Sequence, residues 1–251
     1  MSATEEGHPG PVFTPPVVGR GGAMNTLTGI RACVFDAYGT IFDFASAAAG
    51  CADIPEDKRA ALTTLWRDKQ LQYTWLRALQ GCYADFWQVT GDALDFTLDS
   101  LGMATPALRA RLLDLYRTLP AFPEVAETLR RLKEAGFVTA ILSNGSPAML
   151  EAAVRGAGLQ SLFDAVLSAD AVQVFKTHPR VYDYALQRLG VRADQISFQS
   201  SNAWDAFAAS AYGMRVVWCN RYGQRRERLP GAPDHEVKTL GELPALLEPP
   251  C

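Results

Sequence analysis

From Ile30 onward, short apolar runs that end in turn residues alternate with helical patterns, and this alternation restricts the chain to few architectures. RACVFDA (31–37), GFVTAILSN (136–144), FDAVLSA (163–169), QISFQSS (195–201) and RVVWCN (215–220) have the form of buried parallel strands. Helical segments lie between them: EVAETLRRLKEAG, with Gly136 as a stop, AMLEAAVRGAG, RVYDYALQRLG and AWDAFAASAYGM. LGELPALLE (240–248) reads as a short closing helix. Strands alternating with helices predict an α/β fold built on a doubly wound parallel sheet.

One stretch breaks the alternation. Residues 45–120 have helical periodicity throughout, with Leu62, Leu65, Trp66, Tyr73 and Leu76 on one stripe. An all-helical block between the first and second strands predicts a cap over the carboxyl ends of the strands, where open α/β sheets bind ligands. The expected division is a Rossmann-like core of residues 27–44 and 121–251, with a cap of 45–120. Residues 1–26 are rich in Gly and Pro, lack the pattern of a secretory signal, and read as a disordered leader.

Composition excludes several functions. A net charge of −3 carries no basic footprint, so nucleic acid is not an expected partner. No apolar run approaches the ~20 residues that span a bilayer. The five cysteines (33, 51, 82, 219 and 251) are odd in number and contain no CxxC pair. They argue against a disulfide scaffold or zinc site and fit a reducing cytoplasm. His8, His178 and His235 fall in loops or the leader and suggest no metal cluster. The basic stretch NRYGQRRER, with Arg221, Arg225, Arg226 and Arg228, reads as a solvated loop.

Four clusters stand at expected strand ends or loops: Asp36 with Thr40; Ser143, Asn144, Gly145 and Ser146; Lys176 with Tyr182; and Ser200, Ser201, Asn202 and Asp205. A doubly wound sheet brings all four to one crevice. Taken singly, each has a plainer reading. A Ser-Asn pair is usually only a turn, and a lone Lys is usually solvated. Asp36 alone reads as a turn-forming residue, Arg67 as a helix-surface charge, and Phe86 and Trp204 as core. Tyr182 fits equally well as a residue packing its helix on the sheet.

FDAYGTIFD (35–43), ILSNGS (141–146), VFK with RVY (174–176 and 180–182) and SSNAWDAFAA (200–209) together resemble the haloacid dehalogenase superfamily, specifically its L-2-haloacid dehalogenases. LWRDKQLQYTWLRAL (65–79) is similar to that subfamily's arginine-bearing cap helix. The likeness runs from about residue 28 to the end, departing at KTHP, where the family commonly has Pro directly after the lysine. It implies hydrolysis of short-chain L-2-haloacids to 2-hydroxy acids with inversion, no cofactor and no metal, and a homodimer.

By resemblance, Asp36 attacks the halogen-bearing carbon, Arg67 receives the halide, and Lys176 and Arg67 offset the repulsion between substrate and Asp36 carboxylates. Asp205 activates water and Asn202 places it. Thr40 and Ser200 hold the Asp36 and Lys176 geometry. Ser143 and Asn144 lie near the substrate carboxylate, with Tyr182 a further polar contact. Tyr38, Leu71, Phe86 and Trp204 belong to the substrate side of the site. Superfamily phosphatases commonly carry a second acid at the position of Tyr38, and a phenol of pKa ~10 is a poor substitute. Ser201 and Asn202 stand where a phosphatase would hold Mg²⁺ with acids. A magnesium-dependent phosphatase and a catalytically silent member of the fold are the competing readings.

Overall fold

The computed structural model describes residues 26–44 and 51–250. The expected leader therefore lies outside the described residues, apart from Thr26, as do His8, Cys251 and residues 45–50 of the expected cap.

The predicted strands form as β1 (Ala32–Phe35), β2 (Val138–Ser143), β3 (Ala165–Ser168), β4 (Ile196–Ser200) and β5 (Arg215–Cys219). All are parallel, in the order β3-β2-β1-β4-β5. The sixth strand, β6 (His235–Val237), adds an edge that the sequence pattern does not reveal. His235 is thus a strand residue rather than a loop residue, because β5 offers it a free edge to pair with. The order reverses between β1 and β4, the switch point at which such sheets bind ligands.

Why the strands read as unbroken apolar runs is plain from their two faces. Cys33 and Phe35 join one core with Ile141 and Val217, while Ala32 and Val34 join another with Leu142 and Phe198. The helices numbered α4 (Val125–Glu134) and α5 (Pro147–Gly156) cover the first face through Val125, Leu129, Met149 and Leu150. On the second, α6 (Pro179–Leu189) and α7 (Ala203–Tyr212) contribute Val181, Ala185, Ala206 and Ala209. The closing segment Leu240–Leu246 is a tight 3₁₀ helix.

Between β1 and β2 stand α1 (Glu56–Gln80), α2 (Phe86–Ser100) and α3 (Pro106–Arg117). Gly81 ends α1 in the left-handed conformation at φ 66°, and Asp85 caps α2 by accepting from Gln88 N–H at 2.9 Å. Thr105 caps α3, with Pro106 at its first turn. The buried stripe of α1 is Leu62, Trp66, Gln70 and Thr74, so it turns polar after Trp66. Leu76 is exposed and Tyr73 half-buried, contrary to the expected apolar stripe. An i, i+4 repeat holds one face here, and its second half points polar groups into the bundle.

The two connections between this bundle and the sheet pair with each other. Asp43 N–H donates to Pro120 O and Phe122 N–H to Ile41 O, both at 2.9 Å, around the antiparallel bridge Phe42–Ala121. Arg221 locks this junction and is not the solvated loop residue its basic neighbours suggest. Its guanidinium lies 3.9 Å over the Phe122 ring, donates to Thr40 O at 2.9 Å and pairs with Glu124 at 2.6 Å. Arg225, Arg226 and Arg228 are exposed as expected.

The described cysteines, Cys33, Cys51, Cys82 and Cys219, are free thiols. No helix among the described residues is long and apolar enough to cross a membrane.

Candidate active site

Every strand bordering the switch point ends in a polar residue of one cluster. Asp36 follows β1 directly, and Thr40 lies one turn on. Ser143 and Asn144 end β2, while Ser200, Ser201 and Asn202 end β4 and lead into the first turn of α7, which bears Asp205. Lys176 sits in the connection from β3 to α6.

Lys176 is the electrostatic centre. Its ammonium is 1% exposed and lies 3.1 Å from Asp36 Oδ1 and 2.8 Å from Asp205 Oδ2. Burial alone would lower its pKa, but the charges of Asp205 and Asp36 and their hydrogen bonds outweigh this, and the net shift is upward. Asp205 is fully buried, which pushes its carboxyl up to about 6; the Lys176 charge opposes that rise and the Asp36 charge adds to it. Tyr182, buried as well, donates its hydroxyl to Asp205 Oδ1 at 3.0 Å. Burial first, and then the Asp205 charge, push its phenol well above 10, so it remains a donor.

The two oxygens of Asp36 are held differently. Among the described residues, Oδ1 takes one bond, from Lys176, whereas Oδ2 receives Asn202 Nδ2 at 2.7 Å, Thr40 Oγ1 at 3.3 Å and Ser200 Oγ at 3.5 Å. These donors are themselves fixed. Ser201 N–H donates to Thr40 Oγ1 at 2.7 Å, and Asn202 N–H to Ser200 Oγ at 3.1 Å. Asn144 spends its Oδ1 on the Lys176 backbone N–H at 2.9 Å. Ser143 Oγ accepts from Gly145 N–H at 3.1 Å, which shapes the turn after β2.

Arg67 enters from α1. It donates to Asn202 Oδ1 at 3.1 Å and to Gln70 Oε1 at 2.7 Å. A cavity of about 450 Å³ opens beside it, lined by Leu71 and Trp204 as well as Phe44, Asn202 and Tyr222. A larger apolar groove of about 750 Å³ lies on the other side of Trp204, against Trp75 and Leu229. It is lined by no carboxylate, ammonium or guanidinium, whereas the smaller cavity is lined by Arg67 and Asn202.

Two expected substrate-side residues, Phe86 and Tyr38, lie in a buried aromatic cluster that adjoins Asn202, which donates to Tyr38 O at 3.2 Å. Phe86 does not line the Arg67 cavity; it is buried, with ring centroids 6.1 Å from Tyr38 and 6.2 Å from Phe175. Tyr38 packs in the same aromatic cluster, 5.3 Å from Tyr116, and burial holds its hydroxyl well above 10. A Cβ on Gly145 would come within 2.9 Å of the Tyr38 ring, so glycine there makes room for it. Tyr38 is thus neither ionisable near neutrality nor free to move.

Sequence reasoning missed Gln70, Thr90, Tyr116 and the Arg221–Glu124 pair. A polar residue continuing a buried i, i+4 stripe was the available signal for Gln70. Nothing local pairs Arg221 with Glu124.

The residues at a magnesium position do not suit the ion. The gap between Asp36 and Asp205 is filled by the Lys176 ammonium, and Ser201 and Asn202 supply no charge. Hard divalent cations favour clustered anionic oxygens.

Residues 30–213 match the family model described as haloacid dehalogenase-like hydrolase. The (S)-2-haloacid dehalogenase 1 of Pseudomonas sp. (strain CBS-3) is 46% identical over 87% of this chain and 96% of its own length. A crystal structure of a dehalogenase superposes with a TM-score of 0.85 at 44% identity, covering 88% of this chain and 98% of its own. The L-2-haloacid dehalogenase from Xanthobacter autotrophicus, solved with chloropropionic acid covalently bound, gives a TM-score of 0.81 at 40% identity. That match covers 86% of this chain and 98% of its own.

Proposed function

The chain belongs to the haloacid dehalogenase-like hydrolase family, and on that premise we propose that it hydrolyses short-chain L-2-haloacids to 2-hydroxy acids with inversion. The observation that carries this reading is one buried ammonium, Lys176, bridging two carboxylates beneath a guanidinium from the helical bundle.

Asp36 Oδ1 is the nucleophile. It bears one hydrogen bond against three on Oδ2, so it keeps the freer lone pairs. It attacks the halogen-bearing carbon opposite the halogen, a C–O bond forms as the carbon–halogen bond breaks, and the halide departs with the bonding pair. A halide needs no proton, which suits a site whose residue 38 is a buried, un-ionised tyrosine. Arg67 receives the halide through a broad, weakly hydrated cation. Leu71 and Trp204 keep stray water from the ester.

Asp36 Oδ2 is then the ester carbonyl oxygen. Water attacks the Asp36 Cγ while Asp205 takes its proton, and negative charge builds on Oδ2, where Asn202, Thr40 and Ser200 already point. Collapse breaks the Cγ–Oδ1 bond, the departing alkoxide takes the proton held on Asp205, and Asp36 gives its remaining proton to solvent. The hydroxy acid leaves with the former Asp36 oxygen, and the water oxygen remains on Asp36. Tyr182 and Lys176 hold Asp205 for this step.

Residues 27–44 and 121–251 are the catalytic core in this reading, and 45–120 the cap. The reaction is metal-independent, supported by Lys176 occupying the space between the carboxylates. A homodimer is proposed through α1, which exposes Trp75, Leu76 and Leu79 together. A cytoplasmic location agrees with the free thiols.

The test is halide release from the two 2-chloropropionate enantiomers in EDTA. Release from the L enantiomer alone is expected. No release from either overturns the reading, and a requirement for Mg²⁺ favours the phosphatase.

A further inference from the structure

Gln70 is a polar side chain inside the bundle, only 1% exposed, and its contacts leave its amide one orientation. Its Nε2 donates to Thr90 Oγ1 at 2.7 Å and to Tyr116 Oη at 3.1 Å. Thr90 gives its own proton to Phe86 O at 2.6 Å, so toward Gln70 it acts as an acceptor. With both amide hydrogens committed to α2 and α3, Oε1 faces Arg67 and accepts from Nη1 at 2.7 Å. Arg67 Nη2 continues to Asn202 Oδ1 at 3.1 Å, and Asn202 Nδ2 to Asp36 Oδ2 at 2.7 Å. A line of hydrogen bonds thus runs from the interior of the bundle to the nucleophile.

We infer that Gln70 is a positioning residue that sets Arg67 to receive the departing halide, an inference that rests on the dehalogenase reading above. A free arginine side chain loses rotamer entropy when it is fixed. Here the fixing is done in the resting protein by a neutral acceptor. Neutrality matters, because a carboxylate in the same place would neutralise the guanidinium and weaken its hold on a halide.

The experiment compares Q70E, Q70L and T90V with wild type on L-2-chloropropionate and L-2-bromopropionate. It measures kcat, KM, inhibition by added bromide and thermal unfolding. Folded Q70E and Q70L are expected to lose kcat by about 10²-fold, the scale at which misplacing a group acts. The loss should be larger with chloride, the poorer leaving group, so that the bromide-to-chloride ratio of kcat rises. Inhibition by added bromide should weaken in the same variants. T90V removes one constraint on the amide without touching Arg67, and a smaller shift of the same sign is expected. If Q70E and Q70L do not fold, T90V decides the question alone.

A purely structural Gln70 would lower both substrates in proportion and leave bromide inhibition unchanged, which would overturn the inference. Wild-type protein that releases no halide would instead sink the dehalogenase reading itself, so the two failures are distinguishable.

Discussion

Arg67 and Asn202, 135 residues apart in the chain, meet through a 3.1 Å hydrogen bond that ties α1 to the loop holding Asp36. Arg67 also accounts for the position of the halide in the proposed reaction. Arg67→Lys keeps the charge but not the fork that reaches Asn202 and Gln70 together. The expected result is a loss of kcat of about 10²-fold, the usual cost of removing a preorganised donor, with the unfolding midpoint little changed. Steady-state kinetics beside urea titration check both halves.

Asp205 sets the acid limb. Its carboxyl is raised to about 6 by burial, against the pull of Lys176. As the base it must be ionised, so ester hydrolysis should fall about tenfold per pH unit below that point. A single-turnover pH profile is expected to bend near 6, and a bend near 4 would contradict the assignment. Lys176, shifted upward, stays charged across this range. The stability consequence has the opposite sense to that of an ordinary salt-bridged acid. The folded form holds its proton more tightly than the unfolded one, whose carboxyl titrates near ~3.9. The contribution of Asp205 is therefore full below that value and lost as pH rises through about 6.

Isotope placement tests the ester. In ¹⁸O-water under single-turnover conditions, the label should enter the Asp36 carboxylate and not the hydroxy acid. Mass spectrometry of the peptide containing Asp36 reads this directly, and an unlabelled peptide would rule out the covalent route.

Arg221 should matter more than its basic neighbours. Arg221→Ala removes the pair with Glu124, the bond to Thr40 O and the stacking on Phe122. Loss of about 1.5–3 kcal/mol is expected, the range for bonds to a charged group. Changes at Arg225 or Arg226, both exposed, should stay within about 0.5 kcal/mol. Urea unfolding of the three variants makes the comparison.

What was legible in the sequence follows from what is local. Strands buried on both faces announce themselves as apolar runs, and so β1 to β5 were readable. β6 is three residues long with only Val237 buried, too short to leave a pattern. Asp36, Lys176 and Asp205 were readable because a parallel sheet gathers strand-end residues at one edge. Arg221 was misread because exposed arginines surround it, whereas its own partners come from the other side of the sheet junction. Gln70 left only the weak signal of its place on the α1 stripe, because a glutamine on a helix is normally solvated. Only the packing of α2 and α3 against α1 turns it inward.

The ammonium between two carboxylates has a further consequence once Arg67 is included. Two negative and two positive groups, Asp36, Asp205, Lys176 and Arg67, face one another, and these four balance. A haloacid brings one surplus negative charge into a largely buried space. Forming the ester erases the charge on Asp36 and sends one anion out, and with it the surplus. The substrate carboxylate then stands in for the charge Asp36 has given up. Neutrality is broken while intact substrate is bound, halide departure restores it, and hydrolysis breaks it again until the hydroxy acid leaves, because Asp36 then regains its charge.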